Sequence, residues 1–211
     1  MKLKANDTIL FIGDSITDVG RDRDDSQHLG YGYPLMVAGN LLAAYPELDL
    51  KILNRGIGGD HVSHLQDRWQ SDCLDLQPDI ISILIGINDT WHSVGTKEFG
   101  DKEELKRFET EYRDILMQVK EKTNAKIVMV EPYVLPYPED RKEWRFDLDQ
   151  RIQIIRDLAK EFATEFVPLD GVLHSIGVKS NYQYLTGEDG VHPTVAGHGV
   201  IAKEWLKIIG N

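Results

Sequence analysis

A hydroxyl, an imidazole and a carboxylate held together can attack an acyl carbon, and the sequence offers each in a setting that could present it. Ser15 lies in Gly13-Asp14-Ser15-Ile16-Thr17-Asp18, directly after the apolar run Thr8 to Ile12. Its side chain is therefore expected in a tight turn at the carboxyl end of a strand. That placement follows the logic of a nucleophile elbow, although the Gly-x-Ser-x-Gly pattern itself is absent. A serine in such a turn also serves as a helix cap. Towards the other end, Asp189-Gly190-Val191-His192-Pro193 sets a carboxylate three residues before a histidine, where the two can meet on one side of a turn. Pro193 biases His192 away from helical geometry and starts the last helix behind it, which fixes where the ring projects. A lone loop histidine is as readily a solvated side chain, and the chain has 7 histidines.

Acyl transfer also needs donors for the oxygen that turns negative in the transition state. Asn54-Arg55-Gly56-Ile57-Gly58-Gly59-Asp60 follows the second aliphatic run, and Gly86-Ile87-Asn88-Asp89 follows the third. Glycine lets a backbone N–H approach a ligand closely, and the amide of Asn88 is a side-chain donor. Each block alone also fits a glycine turn or an Asn-Asp helix cap. A rival chemistry uses the same region: Asp14, Asp18, Asp60, His61, His64, Asn88 and His192 superficially supply ligands for a hard metal, as in a metal-dependent phosphoesterase. Against it, no early Asp-x-His pair is present, and His61 with His64 most simply lies at the start of a helix.

The elements that would position these residues alternate along the chain. Thr8 to Ile12, Lys51 to Asn54, Ile80 to Ile85, Lys126 to Val130 and Phe166 to Leu169 are short aliphatic runs suited to strands buried on both faces. Between them the apolar residues fall three and four apart, most clearly Leu105, Phe108, Tyr112, Ile115, Leu116 and Val119, the signature of an amphipathic helix. Further helices are expected over about Pro34 to Ala44, Val62 to Leu76, Leu148 to Phe162 and Pro193 to Ile209. Five strands alternating with five helices argue for a parallel sheet covered on both faces, in one domain spanning 1–211. In such sheets ligands bind beyond the carboxyl ends of the strands. The long loops Arg21 to Tyr33, Thr90 to Asp101 and Pro132 to Glu143 should gather near that rim, shaping substrate access or making subunit contacts.

Taken in order, the four blocks resemble the SGNH hydrolases, also called GDSL-type esterases, over nearly the whole chain. Gly13-Asp14-Ser15 corresponds to the nucleophile block, Gly59 to a backbone donor, Gly86-Ile87-Asn88-Asp89 to the amide donor, and Asp189 with His192 to the acid and base. Two departures stand out. Ile16 replaces the leucine of the family's name, and His61 lies where many members carry threonine. The resemblance implies a flavodoxin-like three-layer α/β/α sandwich with a five-stranded parallel sheet. It also implies a serine esterase in which His192 takes the Ser15 proton, Asp189 orients the imidazole, and the N–H groups of Ser15 and Gly59 with Asn88 hold the oxyanion, without metal or cofactor. The extensions Asp14 to Arg21, Gly86 to Trp91 and Val191 to His198 are similar to the carbohydrate-esterase branch that includes bacterial intracellular acetylxylan esterases. That similarity implies deacetylation of xylo-oligosaccharides or other sugars and, by analogy with members of this branch, a homo-oligomer. Trp91, Tyr133, Tyr137 and Trp144 in or beside the loops could stack on sugar rings.

Composition narrows the field. Lys and Arg number 24 against 35 Asp and Glu, a formal charge of −11, which repels nucleic-acid phosphates and anionic lipid. No apolar stretch approaches the roughly 18 residues of a membrane span, and the N-terminal run is too short for a signal-peptide core. The single Cys73 cannot form an internal disulfide, so cytoplasm is the expected compartment. A short-chain lysophospholipase or thioesterase-like acylhydrolase is the nearest alternative activity. A sugar-binding protein on an inherited hydrolase fold is the non-enzymatic one, and its usual sign, a missing nucleophile or histidine, is absent.

Overall fold

Aliphatic runs with no polar face become strands covered on both sides, and the chain supplies five of them. The computed structural model describes residues 1–209. It pairs β1 (Thr8–Gly13), β2 (Lys51–Gly56), β3 (Ile80–Leu84), β4 (Lys126–Val130) and β5 (Glu165–Val167) in parallel, in the order β2-β1-β3-β4-β5. This is the flavodoxin-like order. The helices are α1 (Ser15–Asp18), α2 (Tyr33–Ala44), α3 (Val62–Asp67), α4 (Trp69–Asp72), α5 (Ile87–Trp91), α6 (Lys102–Lys122), α7 (Arg145–Phe162), α8 (Leu169–Lys179), α9 (Tyr182–Thr186) and α10 (Val195–Leu206).

Side chains alternate across a strand, so β1 sends Ile9 and Phe11 to one face and Leu10 and Ile12 to the other. On the first face they meet Val37 and Leu41 of α2, Leu173 of α8, and Ile201 and Trp205 of α10. On the second they meet Leu65 of α3, Trp69 of α4, the Phe108–Tyr112–Ile115–Leu116 stripe of α6, and Ile155 and Leu158 of α7. The result is the expected three-layer sandwich. The stripe of α6 is buried as its spacing required. Asp101 caps the helix by accepting from the N–H groups of Glu103 (2.9 Å) and Glu104 (3.2 Å), and Lys120 and Lys122 close it where the helix dipole favours cations. Among the described residues no helix is long and apolar enough to cross a membrane.

Several boundaries differ from the sequence expectation. The helix expected over Val62 to Leu76 is broken into α3, α4 and a 3-10 turn at Leu74–Leu76. The break falls at Arg68, whose guanidinium is drawn into ion pairs with Asp60 and Asp72, both at 2.8 Å. The last strand stops at Val167, because Pro168 cannot donate to the ladder and Leu169 already begins α8. The last helix starts at Val195 rather than Pro193, with Thr194 Oγ1 accepting from the Gly197 N–H at 3.3 Å. Finally, Thr90 and Trp91 of the expected loop 90–101 belong to α5.

The register sets up the site. Gly13 lies level with Gly56 on β2 and with Leu84 on β3. Ser15, Gly59 and Asn88 follow those positions by two, three and four residues, so all three reach the carboxyl rim of adjacent strands.

Candidate active site

Ser15 opens α1, but it does not cap it. Asp14 is the cap residue, and its Oδ1 accepts from the Ile16 N–H at 2.9 Å. The Ser15 hydroxyl is thereby left for another partner, which is His192 Nε2 at 2.9 Å. On the far side of the ring, His192 Nδ1 lies 2.5 Å from Asp189 Oδ2. The three side chains form one hydrogen-bonded relay. With the Nδ1 proton directed at the carboxylate, Nε2 accepts from the serine.

The Asp189 carboxylate is itself fixed. Its Oδ1 accepts from the N–H groups of Val191 (2.9 Å) and His192 (2.8 Å). Burial pushes this carboxyl up, but the bonds from the His192 ring and the two backbone donors outweigh burial and hold it below the usual carboxylate range. The same contact raises His192 above the ordinary imidazole value, with burial opposing and the charge of Asp189 assisting. The His192 side chain stays 46% exposed, so the relay faces solvent.

The donors expected for an oxyanion follow the neighbouring strand ends, on the same rim as Ser15. Gly59 has φ +86°, a left-handed conformation favouring glycine, and a side chain there would meet nothing within 4 Å. The space beside Gly59 is thus open on its Cβ side. The loop is pinned to the Ser15 turn by Asp18, whose Oδ2 accepts from the Gly58 N–H at 3.0 Å while pairing with Arg23 at 2.7 Å. Asn88 is nearly buried on α5, and its Nδ2 donates one proton to Asp60 O at 3.0 Å, leaving the second amide proton for a ligand. Ser15, Gly59 and Asn88 extend from the carboxyl rim of the sheet, and the turn ahead of α10 brings His192 and Asp189 to the Ser15 hydroxyl.

The other residues singled out by type have different employment. Asp60 pairs with Arg68, and Arg68 also donates to Gly13 O and Arg55 O at 3.2 and 2.8 Å. His61 caps α3 and its Nε2 lies 2.6 Å from His92 Nδ1, while Val62 N–H donates to Asp89 at 3.3 Å. Burial and the neighbouring His61 lower His92. Among the described residues no group of three or more His, Cys, Asp or Glu side chains is placed to hold a metal ion. Of the aromatic residues expected to stack on sugars, Tyr133 and Trp144 cannot do so, being buried at 0% and 3% exposure. Trp91 is half-buried with its ring 5.8 Å from that of His192, and Tyr137 is exposed. Residue type and spacing gave no sign of Arg141, which reaches the Asp189–His192 turn from the 132–143 segment. A single arginine in a charged loop carries no signal of that role.

The model of the GDSL-like lipase/acylhydrolase family matches residues 11–200. The chain is 35% identical over its full length, and 97% of the relative's, to an acetylxylan esterase of Geobacillus stearothermophilus. The crystal structure of that species' acetylxylan esterase Axe2 superposes with a TM-score of 0.87 at 34% identity, covering 100% of this chain and 97% of that one. Axe2 has also been solved as catalytic mutants at a serine, an aspartate and a histidine. A GDSL-like protein of Parabacteroides merdae matches with a TM-score of 0.91 at 39% identity, over 99% of this chain and 98% of that chain.

Proposed function

Because the chain belongs to the GDSL-like lipase/acylhydrolase family and is a carboxylic ester hydrolase, we propose that it removes short acyl groups, acetyl above all, from xylo-oligosaccharides or other sugars. In this reading Ser15 is the nucleophile, His192 the base and Asp189 its orienting acid. The observation that carries it is the continuous relay from Ser15 Oγ through the His192 ring to Asp189.

The steps follow from that geometry. Ser15 Oγ attacks the ester carbonyl as its proton passes to His192 Nε2, and the oxyanion is held by the N–H groups of Ser15 and Gly59 and the free amide proton of Asn88. The imidazolium gives its proton to the departing sugar oxygen. Water then repeats the sequence on the acyl-enzyme, with His192 again the base, releasing the carboxylic acid and restoring Ser15. Asp189 stabilises the imidazolium and holds the productive tautomer throughout. An exposed imidazole supports a bulky alcohol, since a sugar leaving on that side need not be threaded through the core. The acetylxylan esterases to which the chain is similar support the acyl group and the sugar.

A panel of acetyl, butyryl and longer aryl esters, run beside acetylated xylo-oligosaccharides, tests the substrate. The expected result is a steep fall in kcat/KM beyond the short acyl chains and release of acetate from the oligosaccharides. A serine-directed fluorophosphonate should abolish turnover by labelling Ser15, and dialysis against a chelator should leave turnover intact. A label on any other residue would redirect the nucleophile assignment, and chelator-sensitive turnover would favour the metal-dependent rival.

A further inference from the structure

The 132–143 segment was expected to shape substrate access or make subunit contacts, yet three of its bonds run to the acid–base turn. Three successive carbonyls of that turn each accept from it. Asp189 O accepts from Arg141 Nε at 2.9 Å, Gly190 O from the Leu135 N–H at 2.8 Å, and Val191 O from the Tyr133 hydroxyl at 2.7 Å. The two stretches of backbone also approach more closely than a side chain permits. Gly190 has φ +75°, and a Cβ there would lie 2.1 Å from Tyr137 O and 2.7 Å from Leu135 O. Arg141 acts on the turn by a second route. Its guanidinium lies over the rings of Trp144 (4.1 Å) and Trp91 (5.5 Å), and Trp91 packs against the imidazole of His192.

From this juxtaposition we infer that the 132–143 segment is the cradle that places Asp189 and His192 for ester hydrolysis, with Arg141 and Tyr133 as positioning residues. The inference rests on the triad reading above. Neither residue touches the reacting atoms. Tyr133 fixes the carbonyl one residue before His192, and Arg141 fixes the carbonyl of Asp189 while backing the ring through Trp91. Fully buried Tyr133 is held by packing on all sides, so its hydroxyl is a stiff support. The consequence is an acid–base pair whose hydrogen bond depends on two side chains outside its own turn.

The test uses the whole protein with 4-nitrophenyl acetate as probe. It compares Tyr133→Phe and Arg141→Lys with wild type and with His192→Ala, reading kcat, KM, the pH midpoint of kcat and thermal unfolding. Tyr133→Phe removes one hydroxyl and keeps the ring. Arg141→Lys keeps the charge and loses the planar fork over the tryptophans. The groups facing His192 that could move its titration are Asp189 on its own turn, Asp14 on the β1–α1 turn and His198 on α10. None is altered by either substitution. The expected result is a kcat lower by about tenfold for Tyr133→Phe and about tenfold to hundredfold for Arg141→Lys, with KM little changed. Because the Asp189 bond raises His192, loosening it should move the acid-side midpoint to lower pH in both variants. A fall in thermal stability with kcat and the pH midpoint unmoved would overturn the inference, since a purely structural prop gives that pattern. So would a loss confined to KM, which assigns the segment to substrate binding. If His192→Ala retained wild-type turnover, the triad reading itself would fail and the cradle with it. An inactive His192→Ala beside unaltered Tyr133→Phe and Arg141→Lys would sink the cradle alone.

Discussion

The two halves of the site are held in place by different means. Ser15, Gly59 and Asn88 leave three adjacent strands, β1, β2 and β3, whose register already puts Gly13, Gly56 and Leu84 side by side. Their mutual position is inherited from the sheet, and short bonds such as Gly58 N–H to Asp18 and Asn88 to Asp60 O only trim it. Asp189 and His192 lie far along the chain from the last strand, beyond α8 and α9. Nothing in the sheet places them, so turn bonds within Asp189–His192 and side chains from the 132–143 segment must do so. The comparison teaches where perturbation should matter. Supports of the strand-anchored half are part of the sheet's own packing, whereas those of the acid–base half lie outside it, so substitutions among them are expected to change catalysis more than stability.

The largest effect should come from cutting the link between the halves. Ser15→Ala is expected to lower kcat for an acetyl ester by a factor on the order of 10⁴ or more with circular dichroism unchanged, and Asp189→Asn to approach 10⁴ by admitting the wrong imidazole tautomer. Near wild-type turnover in Ser15→Ala would remove the serine from the mechanism. A silent Asp189→Asn would instead mean that His192 is oriented from elsewhere, and the comparison between the halves would lose its second term.

The next effect in size isolates the strand-anchored half. Asn88→Ala removes one oxyanion donor and leaves the relay intact, so kcat should fall roughly 10²- to 10³-fold with the pH midpoint unmoved. Measured beside Arg141→Lys, which should shift that midpoint, it separates transition-state stabilisation from base positioning. An effect of Asn88→Ala on KM alone would assign the amide to ground-state binding.

How much of this could be read from the chain follows the same division. The strands and the blocks at their ends were legible, because a strand buried on both faces admits only aliphatic residues and its end is marked by glycine and polar residues. The α6 stripe was legible for its spacing. The α8 helix was not, since Gly171 and Gly177 weaken its pattern and it begins immediately after a strand only three residues long. The break at Arg68 was hidden because its guanidinium is held not only by Asp60 and Asp72 nearby but also by the Arg55 and Gly13 carbonyls, which no pattern within the helix encodes. For the same reason Tyr133 and Trp144 read as rim aromatics when both are packed inside, and Arg141 gave no sign of reaching Asp189. Residues were visible, but the supports of the acid–base turn became visible only once the chain was folded.

The smallest effect on activity, and the sharpest test of the strand-anchored half as a stability element, lies at Asp14. Its side chain is fully buried, Oδ1 is bonded to the Ile16 N–H, and Oδ2 has no partner among the described residues. Burial pushes its carboxyl up to about 7, although the bond to Ile16 and the nearby His192 pull the other way. An unfolded aspartate titrates near about 3.9. Between those two values the folded protein holds a proton that the unfolded chain has released, so stability should fall as pH rises from about 4 to about 7 and then level off. The span corresponds to a few kcal/mol, on the order of 1.4 per pKa unit. Asp14→Asn carries no charge at any pH and can still accept from Ile16, so it should abolish this decline and be relatively more stable than wild type at pH 8 than at pH 5. Urea unfolding of both proteins at the two pH values measures it, with kcat at pH 8 expected to change far less than in Asn88→Ala. Parallel stability profiles for the two proteins would mean that the Asp14 carboxyl is already ionised and solvated in the fold. The nucleophile turn would then carry no titratable burden of its own.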